Sequence, residues 1–233
     1  MSKKSIKEQS HQDSGFEGIE HALTNTERFL ENNQKILLFS LLGAVAVVLI
    51  FIATKRFYVE PRERDAANEM FMAERFFERD SFAIALNGFG TYPGFLQIID
   101  DYGMTKSANL AKYYSGICFL NLGEYQNAID RLKDFKTKDP LIGAAKYSSL
   151  GDALSETGDH AAAADYYLEG ADKFKNNFST PVLLKKAGLI YEESGSFDKS
   201  MDIYSRILKE YPNTPEGMEI SKYIERVKIK AGK

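Results

Sequence analysis

Three stretches in the second half of the chain align without internal gaps, and their reading decides the fold: YYSGICFLNLGEYQNAIDRLKDF (113–135), SSLGDALSETGDHAAAADYYLEG (148–170) and KKAGLIYEESGSFDKSMDIYSRI (185–207). Each has a glycine at the same place, Gly116, Gly151 and Gly188, and another seven residues on, Gly123, Gly158 and Gly195. Two residues further stands a ring: Tyr125, His160 or Phe197. Three beyond that is a small residue (Ala128, Ala163, Ser200), and four beyond that a large one (Leu132, Tyr167, Tyr204). With 17 glycines in 233 residues, six in register make coincidental glycines in an ordinary helical bundle a poor account. The second glycine suits a helix that ends in a left-handed turn, which a residue without Cβ adopts cheaply. The first glycine and the small residue let two helices approach closely, and the large residue fills the space between them. Each unit is therefore an αα-hairpin that cannot bury its apolar face alone and stacks on its neighbours.

This pattern resembles the tetratricopeptide repeat, with its period of about 34 residues. Pro140 and Pro212 stand where that motif closes, Lys175 replaces the proline in the middle unit, and the units are 35 and 37 residues apart. The motif's first aromatic position is irregular, with Lys112, Tyr147 and Leu184. The resemblance implies that the first helix of each pair lines a concave groove. By register its exposed positions are Tyr113, Ile117, Leu120 and Asn121, then Ser148, Asp152, Ser155 and Glu156, then Lys185, Leu189, Glu192 and Glu193. Such a groove runs from apolar to acidic and suits an extended or helical protein segment with apolar anchors and some positive charge. It lacks the Lys/Asn set with which chaperone-type tetratricopeptide domains grip a terminal carboxylate.

Outward from the repeats, Pro61 is well placed to start a helix, and Ala66, Met70, Ala73 and Phe77 recur at helical spacing. NGFGTYPG (87–94) then interrupts as a turn, and FLQIIDDYG reads as a short second helix. Residues 57–108 thus form a linker helix and a degenerate first hairpin, and 109–214 the three repeats. Residues 215–233 form a capping helix with Ile220, Tyr223, Ile224 and Val227 on its apolar side and a Lys-rich outer face. The expected class is all-α, an N-terminal transmembrane helix followed by an α-solenoid.

The transmembrane expectation rests on KILLFSLLGAVAVVLIFIATKR (35–56), whose 19 residues between Lys35 and Lys55 carry no charge. At about 1.5 Å per residue such a helix matches the hydrocarbon thickness of a bilayer. A leader of 34 residues precedes it, and its exit, FIATKRFY, has no good cleavage pattern, so it reads as a retained anchor in the lipid bilayer. The leader begins with a disordered stretch rich in Lys, Ser and Gln and continues as an amphipathic helix with Phe16, Ile19, Leu23, Thr26 and Leu30 on one stripe. Flanking charges do not settle orientation: Lys55, Arg56, Arg62 and Arg64 outnumber Arg28 and Lys35, yet long domains translocate regardless of charge.

A net charge of −3 argues against a nucleic-acid partner. One cysteine, Cys118, excludes an internal disulfide and reads as a buried, inert thiol. His11, His21 and His160 are far apart and in no metal spacing, and His160, at the ring position of the repeat, is expected to pack structurally. Asp100–Asp101 belongs to no recognisable metal loop, and GFGTYPG lacks the Lys-Ser/Thr of a phosphate loop. The expectation is a binding protein rather than an enzyme, with no cofactor, no metal and no small-molecule substrate.

The order of parts, a short leader ending TERFLENNQK, one span, a Pro-started helix, a degenerate hairpin, three repeats and a cap, resembles the YfgM-like tetratricopeptide family, an ancillary subunit of the bacterial SecYEG translocon. That resemblance implies a cytoplasmic N-terminus, a repeat domain on the periplasmic side of the inner membrane, and help in passing nascent secreted chains to a membrane-anchored periplasmic chaperone. The Lys/Arg flanks keep an alternative open: a cytosol-facing receptor or assembly scaffold.

Overall fold

The computed structural model describes residues 32–232, which fall into two compact units divided between Tyr58 and Val59. In the first, residues 32–54 form helix α1, exposed along nearly its whole length, and a π-helical turn Lys55–Val59 follows. One helix among the described residues, Asn32–Phe77, contains a window long and apolar enough to cross a membrane, and none of that window is buried. The amphipathic leader stripe from Phe16 to Leu30 lies outside the described residues.

The second unit opens with α2 (Glu60–Phe77), whose Pro61 sits in the first turn and whose Ala66, Met70 and Ala73 are buried. A short helix, α3 (Phe82–Asn87), precedes the expected turn at 87–94, and within that turn the chain makes two antiparallel two-residue strands, β1 (Gly88–Phe89) and β2 (Tyr92–Pro93). The hairpin closes through glycine: Gly88 has φ +88°, and a Cβ on Gly94 would run into the backbone of Leu86 and Gly88. Helix α4 (Phe95–Asp101) lies within FLQIIDDYG. Rings weld these pieces to the first repeat: Tyr114 stacks on Phe95 at 5.1 Å and meets Phe77 edge-on at 4.9 Å. A carboxylate adds a polar tie, because Glu63 of α2 accepts from the backbone N–H of Lys106 and from the N–H and hydroxyl of Ser107. These groups open the next helix, whose free N–H groups need partners.

The repeats follow as α5 (Lys106–Asn121) with α6 (Tyr125–Asp134), α7 (Pro140–Glu156) with α8 (His160–Lys173), and α9 (Thr180–Glu193) with α10 (Phe197–Glu210), closed by α11 (Pro215–Lys230). Gly123, Gly158 and Gly195 all hold positive φ at the tight turns. The other glycine of each hairpin is a notch: a Cβ on Gly116, Gly151 or Gly188 would overlap the side chain of Leu132, Tyr167 or Tyr204 respectively. Ala128, Ala163 and Ser200 are fully buried, and the Ser200 hydroxyl donates to the Gly188 carbonyl at 2.9 Å. Among the described residues the second unit is thus an all-α solenoid apart from the small β-hairpin. His160 departs from its expected packing role, for it is exposed at the first position of α8, while Tyr125 and Phe197 at the equivalent places are half-buried.

Candidate interaction face

The first helices of the hairpins, α5, α7 and α9, neighbour one another along the stack, and α11 continues the row beside α9. Their shared face carries the residues expected to bind a partner. Tyr113, Ile117, Leu120, Ser148, Asp152, Ser155, Lys185 and Leu189 are half-buried, and Asn121, Glu156 and Glu193 are exposed. Glu192 corrects the sequence reading: it is 4 % exposed and no surface group.

The reason is internal chemistry. The tyrosine that fills the notch of the second and third hairpins has a hydroxyl to satisfy, and a carboxylate of the partner helix receives it. Tyr167 donates to Asp152 at 2.6 Å, and Tyr204 donates to Glu192 at 3.2 Å. Glu192 also accepts from Arg226 at 2.6 Å and Lys230 at 2.8 Å, so α11 is clamped to α9 through one buried charge. Burial alone would raise the Glu192 carboxyl, but these hydrogen bonds and the two cations outweigh it and hold the group below the usual carboxylate range. Asp152 is bridged from the next hairpin by Lys186 at 2.7 Å, and Lys186 also reaches the Ser148 hydroxyl. Lys185 lies 3.8 Å from Glu219 and 4.9 Å from the centre of the Tyr223 ring. Tyr113 packs on Phe135 with ring centres 5.3 Å apart. The face therefore keeps fewer outward charges than the register suggests: Asp152 and Glu192 hold the hairpins together, whereas Glu156 and Glu193 look outward.

The structure adds a feature the sequence reading missed. An apolar cavity of about 230 Å³ lies at the N-terminal ends of α7 and α9, lined by Leu141, Ala144, Ala145, Ser148, Phe178, Ser179, Val182 and Leu183. A signal for it was present: Ala145 and Val182 stand three residues before Ser148 and Lys185, one turn earlier on the same stripes. Phe178 had no such signal, because it sits in the loop between α8 and α9. Among the described residues no three His, Cys, Asp or Glu side chains gather as metal ligands. Cys118 is fully buried on α5, and burial pushes its thiol up to about 12.

Comparison with known proteins agrees with this geometry. The tetratricopeptide repeat profile matches residues 110–141 and 183–214, the first and third hairpins. A curated relative, the Photosystem I assembly protein Ycf3 of Prochlorococcus marinus subsp. pastoris, is 34 % identical over 69 residues, which are 30 % of this chain and 40 % of that protein. The chain thus spans well under half the length of the relative it matches. The middle hairpin, between the two matched stretches, has the same glycine turn and the same filled notch as its neighbours. The second half of the chain thus contains tetratricopeptide repeats, at residues 110–141 and 183–214.

Proposed function

We propose that the protein is a non-enzymatic, membrane-anchored interaction module whose α5/α7/α9 face binds protein partners, and that α1 is the anchor. The observation that carries this reading is the apolar cavity between α7 and α9, lined by residues of the helices that form the shared face. Anchoring fixes the repeats near a membrane channel and raises their effective concentration there, so weak contacts suffice. The resemblance in order of parts to the YfgM-like family supports a specific placement: a single-pass protein of the bacterial inner membrane with its repeat domain in the periplasm. There it would be an ancillary subunit of the SecYEG translocon, helping hand nascent secreted chains to a membrane-anchored chaperone. Protease treatment of intact spheroplasts tests the topology, since the repeat domain must be digested from outside. Photo-crosslinking from Tyr113, Leu120 and Glu156 tests the partners, and capture of no translocon component, chaperone or nascent chain would sink the translocon reading.

A second reading is a cytosol-facing assembly scaffold. It is favoured by the basic residues Lys55, Arg56, Arg62 and Arg64 after the apolar segment and by the similarity to a protein named for its part in assembly. Protection of the repeats in spheroplasts, with digestion after lysis, would select it.

A further inference from the structure

The loop before α9 holds an exposed aromatic ring in a fixed place. Phe178 is 79 % exposed, yet its backbone is tightly organised by Asn176. The Asn176 carboxamide oxygen accepts from the N–H of Phe178 at 2.8 Å and of Ser179 at 2.7 Å, while its amide donates to the Phe174 carbonyl and the Ser179 hydroxyl, both at 2.7 Å. The Asn176 N–H in turn donates to the Thr180 hydroxyl at 2.9 Å. Phe178 lines the apolar cavity together with Leu141, 56 % exposed, and Val182. Preorganised apolar surface of this kind lowers the ordering cost of binding.

The opposite end of the same two helices has another character. Helix α7 ends at Glu156 and α9 at Glu193, both exposed. Both charges, with Asp152, act on the Tyr167 hydroxyl, and its ionisation is pushed up first by burial and then by these carboxylates. Of these three carboxylates Asp152 is paired with the Lys186 ammonium, while Glu156 and Glu193 stand exposed at the helix ends. The carbonyl ends of both helices add negative potential at the same place.

We propose that the groove between α7 and α9 selects an extended polypeptide segment that carries one large apolar side chain and, about five residues away, a basic one. The apolar side chain enters between Phe178, Leu141 and Val182, and the basic one lies between Glu156 and Glu193. The spacing follows from the helices: Ala145 to Glu156 and Val182 to Glu193 are each 11 residues. Eleven helical residues rise about 16 Å, which an extended chain covers in about five residues. This inference rests on the reading of the repeats as a protein-binding module and names the class of segment they take.

The test uses the full chain in detergent micelles and fluorescein-labelled Ser/Gly peptides carrying one Phe and one Arg two, five or nine positions apart, in both directions. Fluorescence anisotropy should show the five-residue spacing binding at least threefold tighter than the others. Phe178→Ser should weaken that peptide about tenfold, with an unchanged thermal melt confirming the fold. The double variant Glu156→Lys/Glu193→Lys should transfer the preference to a peptide with Asp in place of Arg. Equal affinity at all spacings, or indifference to both variants, overturns the inference. If no peptide binds while crosslinking from Tyr113, Leu120 and Glu156 still captures proteins, this inference fails alone; if crosslinking fails too, the interaction reading falls with it.

Discussion

Replacing Glu192 with Gln isolates the charge that clamps α11. The carboxamide keeps the size of the side chain and one acceptor for the Tyr204 hydroxyl, but it cannot pair with Arg226 or Lys230. Hydrogen bonds between charged groups contribute about 1.5–3 kcal/mol each when sheltered. Glu192 is sheltered, with 3 % of its side chain exposed, but Arg226 and Lys230 are 45 % and 50 % exposed and regain water when released. After that discount the loss is about 1–2 kcal/mol. In a repeat array this loss should stay local, since each unit contacts only its neighbours. Native-state hydrogen exchange read by mass spectrometry on the full chain should then show α11 amides exchanging roughly 5- to 30-fold faster, with α5 and α6 unchanged. The pH dependence gives an independent reading. Because the folded Glu192 carboxyl is held low, its stabilisation is fully present above the ordinary carboxylate value, about 4.3, and is lost as pH falls below it through the depressed one. Protection of α11 relative to α5 should therefore hold steady down to about pH 5 and fall below that, a decline absent from the Gln variant. An α11 protected as in the wild type, or an equal loss in α5 and α11, would refute the argument.

Ala163→Leu adds three carbons at a fully buried contact between α7 and α8 and should cost about 1–3 kcal/mol, seen as a lower melting temperature; an unchanged melt would contradict the packing. Cys118, with its thiol pushed up to about 12, should resist maleimide at pH 8 in the folded protein and react readily in guanidinium, whereas fast labelling of the native state would show that α5 opens. Glu63→Ala removes the acceptor for the α5 N–H groups and should cost about 1 kcal/mol, read as faster exchange of the first α5 amides.

Much of this architecture is written in glycine positions, and for a physical reason. A left-handed turn and a helix notch are demands that few other residues meet, so Gly116/Gly123 and their equivalents mark the hairpins without reference to tertiary context. The notch partners Leu132, Tyr167 and Tyr204 were legible for the same reason. Other features depend on what lies across the fold. Glu192 reads as a surface residue along α9 alone; its burial comes from Arg226 and Lys230, more than 30 residues later. His160 sits at a ring position but meets solvent, because repeat register assigns a place in the hairpin and not the polarity of what covers it. In the degenerate region, α3 and the β1–β2 pair escaped notice because elements of six and two residues are too short to show a period. Phe178 belongs to a loop, where the local bonds of Asn176 rather than any apolar periodicity decide where the ring goes.

The phenol–carboxylate pairs also bear on how such an array changes over generations. In the second and third hairpins the filled notch includes a polar bond, Tyr167 to Asp152 and Tyr204 to Glu192, whereas Leu132 fills the first notch with no polar atom to satisfy. Helices α8 and α10 thus share one device, in which each brings a tyrosine and each site offers a carboxylate within a turn of the same place. Helix α6 lacks it. Moved to either later position it would leave a carboxylate without its phenol, and a tyrosine helix moved to its place would bring a hydroxyl to a wall formed by Ile117 and Leu120. A unit copied within the stack must therefore match the notch it meets as well as the repeat register, and for this one contact the second and third hairpins are alike while the first stands apart.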